Sequence, residues 1–317
     1  MRFPRLAPAC DNRRALQAIA VRYRESEGRG AREMKNVLRS VAIALFAAML
    51  SACVATPGVS PSNERNWEEV HSRVSAVRWL SASRFAISNI RDWTWGADGP
   101  TRKNWHTRQF DVSETQAIWY FVEPLSFAKS MAHTFATFEI GRGERRQFLT
   151  VSVEARREVG ETYSPIRGLS NAYELIFAWS TEKDILIDTV MRLDHPIQAY
   201  RVNVTPEQAA IILRGFLERT NELSRKPEFY NTLEHNCTSE LAEVVNSKFD
   251  TPIPPHSSFV LTGNAARYLH SLGFIGNPAT PFAEIEKAAD GREAVKKNAR
   301  LPERQFSVAF RRSLGYR

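Results

Sequence analysis

Six short segments with β character follow one another between residues 106 and 204: "HTRQFDV", "TQAIWYFVE", "AHTFATFEI", "RQFLTVSVEAR", "YELIFAWS" and "IQAYRVNV". Each is short and rich in β-branched and aromatic residues, which suits strands rather than helices. "GRGE" at 141–144 separates two of them and reads as a hairpin turn. After residue 204 the pattern changes. Thr205-Pro206-Glu207-Gln208 opens a helix with a cap, a first-turn proline and a reciprocal Gln. Ile212, Leu213, Phe216, Leu217 and Leu223 continue its apolar face. "KPEFYNTLEHN" breaks it, and a second helix is expected from Cys237 to about Lys248. "NAARYLHSLGF" suits a short third one. Strands first and helices after predict an α+β fold, an antiparallel sheet packed against helices. Upstream, Trp67, Val70, Val74, Val77, Trp79 and Leu80 suggest an amphipathic helix from Glu64 to about Ser83. "RDWTWGADGP" reads as turn-rich, with exposed-looking tryptophans.

The compartment is set by "MKNVLRSVAIALFAAMLSAC", residues 34–53. Lys35 and Arg39 precede an apolar run of eleven residues, Ser40 to Leu50, too short to span a bilayer. The run ends in Leu50-Ser51-Ala52-Cys53, which resembles a bacterial lipobox cut before Cys53 so that its thiol carries a diacylglycerol. Position 54 is Val and not Asp, the residue that retains such proteins at the inner membrane, which favours an outer-membrane anchor facing the periplasm. Translation is then expected to start at Met34, with residues 1–33 an extension of the gene model. The expected layout is signal peptide 34–52, anchor and tether 53–63, helical segment 64–99, main domain 100–278 and basic tail 279–317. The net charge of +8 gathers near the ends, with eight arginines against four acids in residues 1–33. No compact basic motif interleaved with aromatics marks a nucleic-acid site. A solvated surface, or attraction to anionic headgroups or cell-wall polymers, accounts for the charge.

Cysteine counting then becomes informative. With Cys10 in the extension and Cys53 lipidated, Cys237 is the one free thiol of the mature chain, in an oxidising compartment. Asn236 is a good N-cap, which puts Cys237 in the first helical turn. The positive potential and free N–H groups there favour a thiolate, so Cys237 is a candidate nucleophile. A buried structural cysteine is the alternative. A nucleophile needs a base. Of seven histidines, His133 heads the strand "HTFATFEI", where a strand-edge imidazole could face a helix N-terminus in papain-like geometry. A structural histidine is the other reading. If the chain turns at 141–144, Ser152 to Glu154 return beside His133. Glu154 could then orient the ring, or pair with Arg156 or Arg157 at the surface. No G-x-S-x-G, P-loop, H-E-x-x-H or paired-cysteine zinc spacing occurs, and no cofactor or metal is called for.

"HTFATFEI", "VSVEARREVGETYSPIRGL", "YELIFAWSTEKDIL" and "KPEFYNTLEHNCTSEL" together resemble the Lnb N-terminal periplasmic domain family, over roughly residues 100–273. The resemblance implies a permuted papain-like, NlpC-type fold with His before Cys. It also implies Cys237 and His133 as the working pair, with Glu154 inside a family block. The family's better-understood members are implicated in lipoprotein N-acylation. The expectation is therefore a lipid-anchored thiol acyltransferase or hydrolase, held to the membrane through Cys53, with a phospholipid or lipoprotein substrate. A peptidoglycan amide hydrolase is the alternative enzyme. A non-catalytic envelope scaffold, binding through Trp93, Trp95 and Trp105, is the alternative outside enzymes.

Overall fold

The computed structural model describes residues 60–125 and 130–316. The lipobox, Cys53, Met34 and the first part of the tether lie outside the described residues. Among the described residues, eight strands form one sheet: β1 (Val77–Trp79), β2 (Arg84–Gly96), β3 (Gly99–Asp111), β4 (Thr115–Pro124), β5 (Ala132–Ile140), β6 (Gln147–Arg156), β7 (Glu174–Thr181) and β8 (Gln198–Arg201). The order is β1-β2-β7-β6-β5-β4-β8, with β3 paired to β2. Every pairing is antiparallel except the single parallel step from Arg91 of β2 to Ser180 of β7. Among the described residues, seven helices accompany the sheet: α1 (Glu182–Ile187), α2 (Pro206–Arg225), α3 (Cys237–Asn246), α4 (Ala265–Ser271), α5 (Phe282–Ala288), α6 (Arg292–Asn298) and α7 (Glu303–Ser313). The fold is α+β.

Both faces of the sheet are covered, which explains why "AIWYFV" in β4 is apolar without a break. Ile118, Tyr120 and Val122 join the core beneath α2 and α3, where Ile212, Phe216 and Leu241 pack. Trp119 and Phe121 point the other way, into a second core with Leu186, Ile197, Phe306 and Phe310. The Thr205–Gln208 capping box starts α2.

Three expectations are corrected. Residues 64–83 do not form a helix. They hold one 3-10 turn, Glu69–His71, and then β1. Asn221 of α2 takes the Val77 N–H and donates to its carbonyl, both at 2.8 Å, so the valine-rich stretch is held extended from outside. The tryptophans are not exposed: Trp95 and Trp105 are half-buried. Trp93 is buried and packs edge-on against Trp105, and the Trp95 indole N–H donates to Asp184. The basic tail is three helices, α5 to α7. Phe306 and Phe310, four apart, form a stripe that the second core buries completely. Arg311 lies under it, paired with Glu182 at 2.7 and 2.8 Å.

Asp184 ties β2 to α1. Its buried carboxylate accepts from Arg91 Nε and Nη2, the Trp93 backbone N–H and the Trp95 indole, at 2.7 to 3.1 Å. Asp184→Ala would strand a buried guanidinium, which costs about 3–5 kcal/mol. Urea unfolding should show that loss, and Arg91→Met with Asp184→Leu should recover most of it.

Candidate active site at an opened strand seam

β5 and β6 pair from Ile140↔Gln147 to Phe135↔Ser152 and then part. Ala132, His133 and Thr134 stay with β4, while Val153 to Arg156 stay with β7. The N-terminus of α3 meets β5 at this fork. The Cys237 sulfur lies 3.9 Å from the Ala132 carbonyl oxygen, and the Thr238 and Thr134 hydroxyls are 3.0 Å apart. The fork thus seats the thiol against the strand residues that flank His133.

Strand alternation puts His133, Ser152 and Glu154 on one face. His133 Nε2 is 2.7 Å from Ser152 Oγ and 3.1 Å from Glu154 Oε1, and the Ser152 hydroxyl donates to the same Oε1 at 2.5 Å. A serine hydroxyl has one hydrogen. It goes to Glu154, so Ser152 accepts from His133 Nε2–H. That assignment leaves Nδ1 as the ring nitrogen for the thiol.

The charges reinforce each other. Burial pushes the Cys237 thiol up, but a hydrogen bond and charge from His133, with a Thr134 backbone N–H, bring it below its ordinary value. Burial pushes His133 down, yet Glu154 and Cys237 raise it well above the usual imidazole value. Burial also opposes ionisation of Glu154, and His133, then His71 and Ser152, hold it far below the carboxylate range. Cys237, His133 and Glu154, widely separated in sequence, are therefore brought into one electrostatic unit. Cys237 itself is buried, with 6% of its surface exposed, while His133 and Glu154 keep side-chain exposures of 20% and 24%.

Asn236 is the N-cap. Its Oδ1 accepts from the Thr238 and Ser239 backbone at 2.9 and 3.0 Å, and its Nδ2 donates to the Thr232 and Phe259 carbonyls. The side chain is spent on holding the helix start, with no donor left for an oxyanion. His235 turns away from the thiol, with Nδ1 2.7 Å from Glu240 Oε1. His235, Glu240 and Glu243 have ligand atoms within 4.8 Å of one another, but Arg219 already neutralises the buried Glu240.

Two neighbours escaped the reading of the sequence. His71 is buried and its pKa is lowered to about 4 by burial, against an upward pull from Glu154. It is thus a neutral group behind the carboxylate. Glu123, the β4 partner of His133 in register, bonds to His195 Nδ1 at 2.6 Å. The register of the β4–β5 hairpin could have flagged Glu123. His71 lies in a segment whose local pattern points to a helix.

Residues 101–257 match the family model for the Lnb N-terminal periplasmic domain, and the match contains the whole unit. Over those residues the chain is similar to the Lnb N-terminal periplasmic domain family. No curated protein and no solved structure gives a match. The family is periplasmic by description, and no helix among the described residues is long and apolar enough to cross a membrane.

Thiol chemistry should report the coupling. The thiolate–imidazolium pair forms as pH rises through the lowered thiol value and is lost as pH passes the raised imidazole value. Iodoacetamide should therefore alkylate Cys237 with a midpoint below that of an ordinary cysteine. His133→Ala should move that midpoint up, because burial is then unopposed. Glu154→Gln should bring the alkaline limb down. A wild-type midpoint unchanged by His133→Ala would separate the two residues.

Proposed function

We propose that this is a lipid-anchored periplasmic acyltransferase or hydrolase in which Cys237 attacks, His133 carries the proton and Glu154 orients the ring through Ser152. The observation that carries the reading is a buried thiol lowered below its ordinary value by an imidazole whose other nitrogen is tethered. A merely structural cysteine would be raised by burial. The His-before-Cys order matches a permuted papain-like arrangement, with the nucleophile on a helix start and the base on a strand.

In this mechanism the Cys237 thiolate adds to an ester or amide carbonyl carbon. The new oxyanion meets the Cys237 N–H, at the first helical position where no intrahelical carbonyl precedes it. His133, protonated, gives its Nδ1 proton to the leaving oxygen or nitrogen as that bond breaks, and a thioester remains. An acceptor amine or water loses a proton to Nδ1 and attacks the thioester. The carbon–sulfur bond breaks and the thiolate returns. Ser152 and Glu154 keep Nε2–H engaged throughout, so the ring cannot flip. A phospholipid donor and a lipoprotein amine acceptor fit this chemistry, with the Cys53 lipid holding the domain at the outer membrane.

Cys237→Ala, His133→Ala and the double variant should lose acyl-ester turnover to a similar degree, each by at least a hundredfold, because the two residues serve one step. His235→Ala should be mild. Retained turnover in both single variants would remove Cys237 and His133 from the step; no turnover by the wild type, with no covalent labelling of Cys237 by an acyl probe, would leave a binding protein; cleavage of peptide-stem amides but not acyl esters would mark a peptidoglycan hydrolase. Cys53→Ser should leave uncleaved precursor or release the protein from membranes, read by fractionation.

A further inference from the structure

The arginines of the C-terminal segment are not all solvated surface. A cavity of about 760 Å³ lies between α7, β8 and the turn end of the β4–β5 pair. Five arginines line it, Arg146, Arg201, Arg304, Arg311 and Arg312, against two carboxylates, Glu139 and Glu144. Both carboxylates are already engaged. Glu139 lies 3.3 Å from Arg146 Nε and 3.6 Å from Arg311 Nε, and Glu144 pairs with Arg304 at 2.9 Å. Arg201 and Arg312 are exposed, and among the described residues neither guanidinium has a hydrogen bond or ion pair. Arg311 is 3% exposed and packs its guanidinium on the Trp119 and Phe148 rings, 4.5 and 4.2 Å from their centroids. Its two terminal nitrogens bond to Glu182, but Nε has no hydrogen-bond partner, which is costly for a buried donor. The place is apart from Cys237. Ala117 pairs with Glu139 at this end of β4, and Glu123 pairs with His133 at the other, roughly 20 Å along the strand. Arg304, Arg311 and Arg312 also lie beyond the residues that match the family model.

We infer that this cavity binds a phosphomonoester, with the phosphoryl group held by Arg201 and Arg312 and the organic part against Leu301, Val308 and Ala309. Three features select that occupant. Two unpaired guanidinium groups call for a dianion, and a phosphomonoester carries about −1.5 to −2 charges near neutral pH, where one carboxylate would leave a cation unmatched. Its three acceptor oxygens suit the planar fork of arginine, and Arg311, which lines the same space with an unmet Nε–H, offers a further donor. A concave site walled by protein also focuses the field of its charges, so the anion is drawn to the cavity more than to the arginines scattered over the surface. The apolar wall of Leu301, Val308 and Ala309 then gives the carbon skeleton a place that inorganic phosphate leaves empty. The same chemistry comes from two sources, a free organic phosphate or the headgroup of a phosphomonoester lipid.

The test follows single arginines and makes no use of Cys237, so it stands apart from the proposed reaction. The full chain in dodecyl maltoside micelles is treated with phenylglyoxal, which modifies accessible guanidinium groups, and the peptides that carry Arg201, Arg312 and Arg102 are followed by mass. Arg102, on β3 with its side chain 61% exposed, is the control. Glycerol 3-phosphate should slow modification of Arg201 and Arg312 saturably and leave Arg102 unchanged. Arg201→Gln should raise the concentration that protects Arg312 roughly tenfold, and Arg312→Gln should do the same for Arg201, since each removes one charge-assisted fork. Both side chains are exposed, so the variants should fold. Phosphatidic acid doped into the micelles replaces glycerol 3-phosphate in a second series. Protection by phosphatidic acid alone, lost in the variants, assigns the site to a lipid headgroup. Protection by glycerol 3-phosphate, lost in the same way, assigns it to a free ligand. Slowing that is equal at Arg102, protection of Arg312 unmoved by Arg201→Gln, equal protection by acetate, or no protection by either phosphate overturns the site.

Discussion

A thiol is easily buried; a thiolate is not. Cys237 sits in the core side by side with Leu241 and Val244, where desolvation alone would keep it protonated and inert. What reverses this is the imidazole of His133, and the imidazole can do so only because Glu154 and Ser152 anchor its far nitrogen. The dependence runs outward from there. Glu154 must remain ionised in a half-buried place, which the charge on His133 supports in return. Remove any one group and the others lose the reason for their charge. A coupled set of this kind contributes less to stability than its short contacts suggest, since burying the charges offsets much of what pairing returns.

The fork between β5 and β6 supplies the geometry. A continuous antiparallel ladder would bond every backbone group of β5 to a neighbour. By parting at Phe135↔Ser152, the two strands free the Thr134 N–H to face the sulfur and let α3 enter. The hairpin on the other side of the same strands holds the register fixed, and a one-residue slip would turn His133 to the opposite face from Glu154. The α3 cap completes the frame. Asn236 spends both its donors and its acceptor on the backbone, so the position of Cys237 is set by four hydrogen bonds that belong to its neighbour.

How much of this could be read from the sequence follows from how local each signal is. The Thr205–Gln208 box and the Asn236 cap are written in four consecutive residues, and they stand where the pattern puts them. The strand alternation around His133 and Glu154 needs only a hairpin turn to bring the two together. Residues 64–83 failed for the opposite reason. Their valines and tryptophans satisfy a helical period equally well, and the deciding contact, from Asn221 to Val77, comes from 144 residues away. Phe306 and Phe310 were hidden by the arginines around them, because a tail reads as solvated until a sheet face exists to bury it. The Thr134–Thr238 contact and the arginine-lined cavity against α7 are likewise products of packing between distant segments, with no local pattern to announce them.

The thiol and the groups that act on it differ in exposure. His133, Ser152 and Glu154 form a polar cluster with partial exposure to water, whereas Cys237 is buried in the core with Leu241 and Val244. If Cys237 attacks a carbonyl as proposed, the group that holds a proton for the leaving atom stands on the His133 side, and burial elsewhere around the sulfur would leave that side as the one by which an acceptor enters. The partial exposure of His133 would then serve the reaction, while the burial of Cys237 would keep the thiolate dependent on the imidazole for its charge.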